Sequence, residues 1–470
     1  MTMNKTTANG PVSGRANWLA RIGMHVPDSP GKPDMLAIAA QLVKGTSVPQ
    51  SFVPSGYAVK PGERILMVVN SFYDSAVVDA IVQAILNAQA RVDVICVDMG
   101  PDRPLEEIDE LRGFMFNWPG IAEKNEIRDW SERLKWVERV AEEQKYDLLI
   151  HGVGQPPIPK SYRSDTIPWT SGEVFPSATF PHEVWDVVNT TAWDMIWNKG
   201  RGGKVRITDP EGTDIAFTLS EEYYDVNRYK ATDSHPFFQQ KPAFGHLFAR
   251  QTPPLYREKE DAAGVVAGTT NHFSCPYPNI KAYIEGGRVV SVVGGGKYGE
   301  AWREILNATK NVRYPEYPDS GMFWWWETGV GTNPKMLRPS NAFMLSGCGT
   351  TYERLRSGVV HIGVGTPPIG PTVRWASAEG VPHGHLHIHL LNCTYEITCK
   401  DGTEIKVIED GHLTALDDPE VVKVASKYGD AREILREVWR APIPGITVPG
   451  NYAEEYAQNP LAWLKSYRRT

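Results

Sequence analysis

The chain has 470 residues, 41% hydrophobic and 22% charged, a balance that excludes global disorder and suits two or three packed domains. Its 49 Lys and Arg stand against 56 Asp and Glu, a net charge of −7 that argues against a nucleic-acid partner, for which a basic face is expected. No apolar run approaches the roughly 18 to 20 residues of a membrane span, and the opening residues lack the apolar core of a secretory signal. A cytoplasmic chain with no membrane partner is therefore expected.

Arg64–Asn70, entered from the turn Lys60-Pro61-Gly62, is nearly continuous in apolar residues and predicts a buried parallel strand. Val77, Val78, Ile81, Val82, Ile85 and Leu86 then recur at helical spacing behind Asp74, a residue type that caps helices. A second strand is predicted over Val92–Val97, a helix over Asp129–Gln144 and a third strand over Tyr146–Ile150. That succession predicts a doubly wound α/β scaffold domain over residues 1–195. The turn Asn70-Ser71-Phe72-Tyr73-Asp74 carries neither G-x-G-x-x-G nor G-x-x-x-x-G-K-[ST], so no nucleotide site is expected there.

Beyond residue 195 short alternating strands replace the strand–helix pattern. Hairpins are predicted around Asp209-Pro210-Glu211-Gly212, Glu285-Gly286-Gly287-Arg288 and Lys400-Asp401-Gly402. A short helix, Tyr298–Leu306, follows Gly294-Gly295-Gly296, which reads as a tight strand exit because no Lys-Ser/Thr follows it. The expectation is a β-rich (α+β) metal-binding catalytic domain over 196–430. Residues 431–470 read as a Pro-rich C-terminal tail or oligomer arm. Five scattered cysteines, Cys96, Cys275, Cys348, Cys393 and Cys399, form no C-x-x-C pair, so neither a disulfide framework nor a zinc ribbon is expected.

The chemistry concentrates in Pro382–Asn392. His383, His385, His387 and His389 alternate with Gly384, Leu386, Ile388 and Leu390. On a strand all four imidazoles share one face, and same-face neighbours stand roughly 7 Å apart, so two of them can reach one metal and four cannot. His361 in Gly358–Gly365, Glu327 behind Trp324-Trp325-Trp326, and His272 are further candidate ligands. His383, His385 and His272 are candidate acid–base groups. Arg374, with His272, could hold an anionic substrate. Phe323, Trp324, Trp325, Trp326 and Trp375 could wall a flat one, a packed core being the other reading. His182, His235 and His246 read as structural.

The order of these segments resembles the aminopeptidase T family of metallopeptidases and its non-peptidase relatives, the iron-dependent 2,5-dihydroxypyridine 5,6-dioxygenases. The motifs are Gly62-Glu63-Arg64, Val205–Phe217, Ile284–Val290, Glu327–Pro334, Val360–Gly365 and the His-x-His before Asp401-Gly402. The resemblance implies metal ligands at Glu327, His361, His387 and His389. Three positions depart from the peptidase pattern. Ala267-Gly268-Thr269 stands where a metal-bridging glutamate is expected, Pro368 replaces a tyrosine, and His389 replaces an aspartate. Two adjacent divalent cations need several anionic ligands, so losing two carboxylates disfavours a two-metal hydrolase. What the resemblance then implies is a mononuclear non-haem Fe(II) extradiol-type dioxygenase. It would open a hydroxylated aromatic or N-heteroaromatic ring with O2 and work as a homo-oligomer. The alternative is a Zn- or Co-dependent aminopeptidase or amidohydrolase-type enzyme.

Overall fold

A computed structural model describes residues 35–45, 56–70, 74–97, 115–117, 137, 139–151, 163–166, 172–221, 247–250, 260–272, 274–315, 317–338, 353–366 and 371–467. In chain order the strands are β1 Arg64–Asn70, β2 Arg91–Val97, β3 Met115–Asn117, β4 Leu148–His151, β5 Ser164–Thr166, β6 Lys204–Asp209, β7 Thr213–Thr218, β8 Leu247–Phe248 and β9 Ala263–Thr270. They continue with β10 Pro276–Glu285, β11 Arg288–Gly294, β12 Trp325–Val330, β13 Val360–Gly365, β14 His383–Leu390, β15 Thr394–Thr398, β16 Glu404–Glu409 and β17 His412–Leu413. The helices used below are α1 Met35–Lys44, α2 Ser75–Asn87, α3 His182–Trp193, α4 Gly296–Thr309 and α5 Pro371–Glu379.

The architecture is mixed α and β, with three sheets among the described residues. The first is parallel, in the order β2-β1-β4-β5. Its central strand buries every residue from Ile65 to Val69, which is why the sequence reads as one apolar run. Asp74 caps α2, its side chain accepting from the Ala76 N–H at 2.9 Å. Of the helix expected over 129–144, Val137 and residues 139–143 are helical, Gln144 forms the turn that follows, and residues 129–136 and 138 lie outside the described residues. So do Ser71–Tyr73, His235, His246, Cys348 and Pro368.

An antiparallel sheet of eight strands, β11-β10-β9-β7-β6-β15-β16-β17, contains the three expected hairpins. Val205 and Ile207 of β6 and Ile215 and Phe217 of β7 alternate inward, and they join residues of the parallel sheet in one apolar core. Residues 431–467, expected as a tail or arm, fold back onto this body. Trp439, Ile443 and Tyr456 pack with Val359 and Leu391, and the Asn279 N–H donates to Ala457 O at 2.7 Å. Among the described residues no helix is long and apolar enough to cross a membrane.

The third sheet, β3-β14-β13-β12-β8, is antiparallel and positions the candidate site. Its register lines Glu327, Gly363 and His387 up across β12, β13 and β14, and Gly329, His361 and His389 in the next rung. Gly365 faces His385 one rung further along. Ile362, Val364, Leu386, Ile388 and Leu390 alternate with these residues and are all buried, so β13 and β14 bury both faces. Strand β9 presses against β14 at Gly268, where a Cβ would stand 2.7 Å from Ile388 Cγ2 and 2.9 Å from His389 O. A glutamate there could not be accommodated without separating the strands, which gives Gly268 its physical reason.

Candidate metal centre

The strand alternation anticipated from Pro382–Asn392 is present, and it gathers five imidazoles. Ring centroids of His385 and His387 are 4.6 Å apart, and His361 lies 5.8 Å from His387 and 6.0 Å from His389. His272, just past the end of β9, stacks on His387 at 3.9 Å. Glu327 enters from β12, its Oε2 lying 3.0 Å from His387 Nε2 and its Oε1 3.3 Å from His361 Nε2. Ligand atoms of Glu327, His385 and His387 all fall within 4.8 Å of one another, and all three residues are buried.

Room for these donors comes from Gly363. A Cβ there would lie 2.8 Å from Glu327 Oε2, 2.9 Å from Glu327 Cβ and 3.1 Å from His387 Nε2. The glycine directly opposite both donors thus leaves a cradle that any other residue would fill. Helix α4 anchors the strand beneath. Gly294, Gly295 and Gly296 take successive left-handed conformations (φ 72°, 80° and 51°), turning the chain sharply from β11 into α4. Tyr298 of α4 then donates its hydroxyl to His387 O at 2.9 Å and accepts from the His387 N–H at 3.2 Å.

Burial holds His272, His385, His387 and His389 neutral. It pushes His387 down to about 3 even though Glu327 pulls the other way, and it lowers His385 and His389 as well. His272 is driven well below its usual range by burial and by the adjacent Arg354 cation. Neutral imidazole is the form that ligates a metal. His385 Nδ1 lies 3.2 Å from Thr366 O, an outer partner that would leave Nε2 for a metal. The donor set, its spacing and the Gly363 cradle therefore fit one metal ion held by two histidines and one carboxylate.

His389 has a different setting. Its Nδ1 lies 2.5 Å from Glu353 Oε1, and Glu353 is also paired with the buried Arg338. Arg338 and His389 overcome the upward push of burial and keep Glu353 ionised. An ionised carboxylate accepts, so His389 carries its proton on Nδ1, and its buried Nε2 has no partner among the described residues. Glu353 was not anticipated. It belongs to Glu353-Arg354-Leu355-Arg356, a charge-dense stretch that carries no sequence signal of burial.

The remaining expected residues separate into those near the histidines and those away from them. Between Trp325 and Glu327 the β12 register shifts by a bulge. The bulge brings Trp326 edge-on to His385, with centroids 5.3 Å apart and planes at 81°. Trp325 instead sits edge-on to Phe217 at 5.3 Å, with the Arg250 guanidinium 4.4 Å from its ring. Trp324 stacks on Tyr317 at 6.2 Å, and Phe323 packs near Trp302 at 5.7 Å. Trp375 meets Tyr314 at 5.6 Å, and Arg374, on the same helix α5, is exposed. His383, half-buried at the start of β14, has Nδ1 3.2 Å from Val381 O. His182, in α3, tilts against Trp185 at 6.1 Å, as a structural histidine would.

Neither a protein-family profile nor a curated protein sequence matches the chain. Among solved structures it is similar to the 2,5-dihydroxypyridine dioxygenase of Pseudomonas putida, at 14% identity and a TM-score of 0.41 over 82% of this chain and 98% of that one. It is also similar to wild-type AmpT from Thermus thermophilus, at 12% identity and a TM-score of 0.41 over 81% of this chain and 98% of that one. Likeness at this level assigns neither family nor activity.

Proposed function

We propose that the chain is a mononuclear non-haem Fe(II) enzyme that opens a hydroxylated aromatic or N-heteroaromatic ring with O2. The observation that carries this reading is the grouping of Glu327, His385 and His387, two imidazoles and one carboxylate on one face of a sheet. Two histidines and a carboxylate with open positions are the donor set of oxygen-activating Fe(II) sites. When bound, the iron would supply the redox chemistry that activates O2 toward an electron-rich hydroxylated ring.

The protein's own groups do the rest. Glu327, His385 and His387 would hold the ion, with Thr366 O orienting His385 and Gly363 leaving room for Glu327 and His387. His272 backs His387, and Trp326 closes the side of His385, limiting water. His389 holds its proton on Nδ1 against Glu353, so Nε2 is the atom that accepts a proton from a substrate hydroxyl. Here the base is His389 in place of the anticipated His383 and His385.

A metal-dependent aminopeptidase or amidohydrolase is the second reading, and the donor chemistry weighs against it. Glu353 is committed to Arg338, leaving Glu327 as the carboxylate in the donor group, too little negative charge for two adjacent divalent cations. Metal content of protein prepared without oxygen or added zinc tests the choice. About one iron per chain, with O2 consumed alongside a hydroxylated pyridine or phenol, is expected. Two zinc or cobalt ions per chain with release of residues from peptides would overturn the proposal.

A further inference from the structure

Among the described residues three arginines are fully buried, and each holds a carboxylate. Arg250 pairs with Glu260, Arg338 with Glu353, and Arg356 with Glu437 at 3.4 Å. Arg354, half-buried between two of them in sequence, pairs with none among the described residues. Its Nη1 donates to His272 Nε2, while its Nε is buried and meets no acceptor among the described residues.

That position is costly for a guanidinium. A guanidinium N–H shielded from water without an acceptor is destabilising, and a folded protein keeps such a group where something else supplies the partner. Burial lowers the Arg354 pKa to about 10, with the Glu327 carboxylate acting in the opposite direction, so the group stays cationic at neutral pH. Arg354 also adjoins the metal centre. The ring it donates to is the one stacked on His387 at 3.9 Å, and its charge lowers the proton affinity of His272, His385 and His389.

We infer that Arg354 recognises a carboxylate carried on the ring of the substrate. This rests on the ring-opening reading above and narrows its substrate class. A planar guanidinium with its Nε and a terminal nitrogen on one edge presents two parallel donors, the geometry that matches a carboxylate. His272 holds the other side of the guanidinium in place, which takes from His272 the acid–base role expected of it, because its Nε2 is already an acceptor. The exposed Arg374, the earlier candidate for this task, has no such setting.

The test is equilibrium binding to the metal-free full-length chain, using a hydroxypyridine carboxylate and its uncharged carboxamide as probes. Wild type is expected to bind the carboxylate about tenfold or more tightly than the carboxamide, as for a hydrogen bond to a charged group. Arg354→Gln should erase that preference, and Arg354→Lys should retain part of it while losing the bidentate component. Equal affinity of wild type for the two probes overturns the inference, whether or not the variants fold. So does a preference that survives in a folded Arg354→Gln. Because no metal is present, neither result depends on ring opening. Loss of the inference alone would leave O2 uptake with uncharged phenols intact.

Discussion

Gly363→Ala tests the centre most directly, because it adds a single methyl and removes no donor. The added Cβ would stand 2.8 Å from Glu327 Oε2 and 3.1 Å from His387 Nε2. Ordinary van der Waals contact begins near 3.4 Å, so the carboxylate must retreat about 0.6 Å and the imidazole about 0.3 Å. Metal–ligand distances tolerate only about 0.2 Å, so both donors leave coordination range unless the strands part. Parting them is resisted, since Tyr298 grips both backbone polar groups of His387. Overpacking of this kind costs about 1–3 kcal/mol of stability. The backbone adds no strain of its own, as Gly363 is not in the left-handed region. The expected outcome is a folded protein with a modestly lower melting temperature and Fe(II) affinity reduced by about 100-fold, the upper end for disturbance of supporting groups. Anaerobic titration against a chromophoric chelator, beside a thermal melt, reads both. Fe(II) affinity within twofold of wild type would refute the cradle argument and move the metal away from the Glu327–His387 rung.

Two further predictions follow from the histidine settings. His387→Ala should lose stoichiometric iron, measured by elemental analysis. His389→Ala should keep iron yet lose turnover, with Glu353→Gln reproducing that loss in weaker form; iron lost from His389→Ala would make His389 a ligand. Away from the centre, His412 lies between Glu437 at 3.0 Å and Asp417 at 2.8 Å, and these carboxylates raise it to about 9 against burial. Its folded value exceeds the unfolded 6.5, so its stabilisation is complete below pH 6.5 and disappears as pH rises through about 9. Melting temperatures of His412→Gln should therefore fall less than those of wild type across that interval; parallel curves would show that the pair contributes nothing.

Much of the site could be read from the sequence because strand period is a local property. Alternation in Pro382–Asn392 puts four imidazoles on one face whatever surrounds them, and it limits a shared metal to neighbouring pairs. It does not say which neighbours. That choice came from register: Glu327 and His387 oppose the same glycine, and His385 joins them within 4.8 Å, while His389 turns to Glu353. The β12 bulge likewise exchanged Trp326 for Trp325 as the ring beside the histidines, a displacement by one residue that no periodicity encodes.

The apolar run of β1, the Asp74 cap, the three hairpins and the histidine strand follow from the chain alone, since each rests on residues within a few positions of one another. Glu353-Arg354-Leu355-Arg356 marks the limit of that reading. Three charges in four residues look like a solvated turn, yet Glu353 bridges His389 and Arg338, Arg356 holds Glu437, and Arg354 turns to His272. Their partners lie 15 to 82 residues away in sequence. Burial of a charge is decided by whether a partner arrives from elsewhere in the fold, so tertiary structure alone determined how these residues are used.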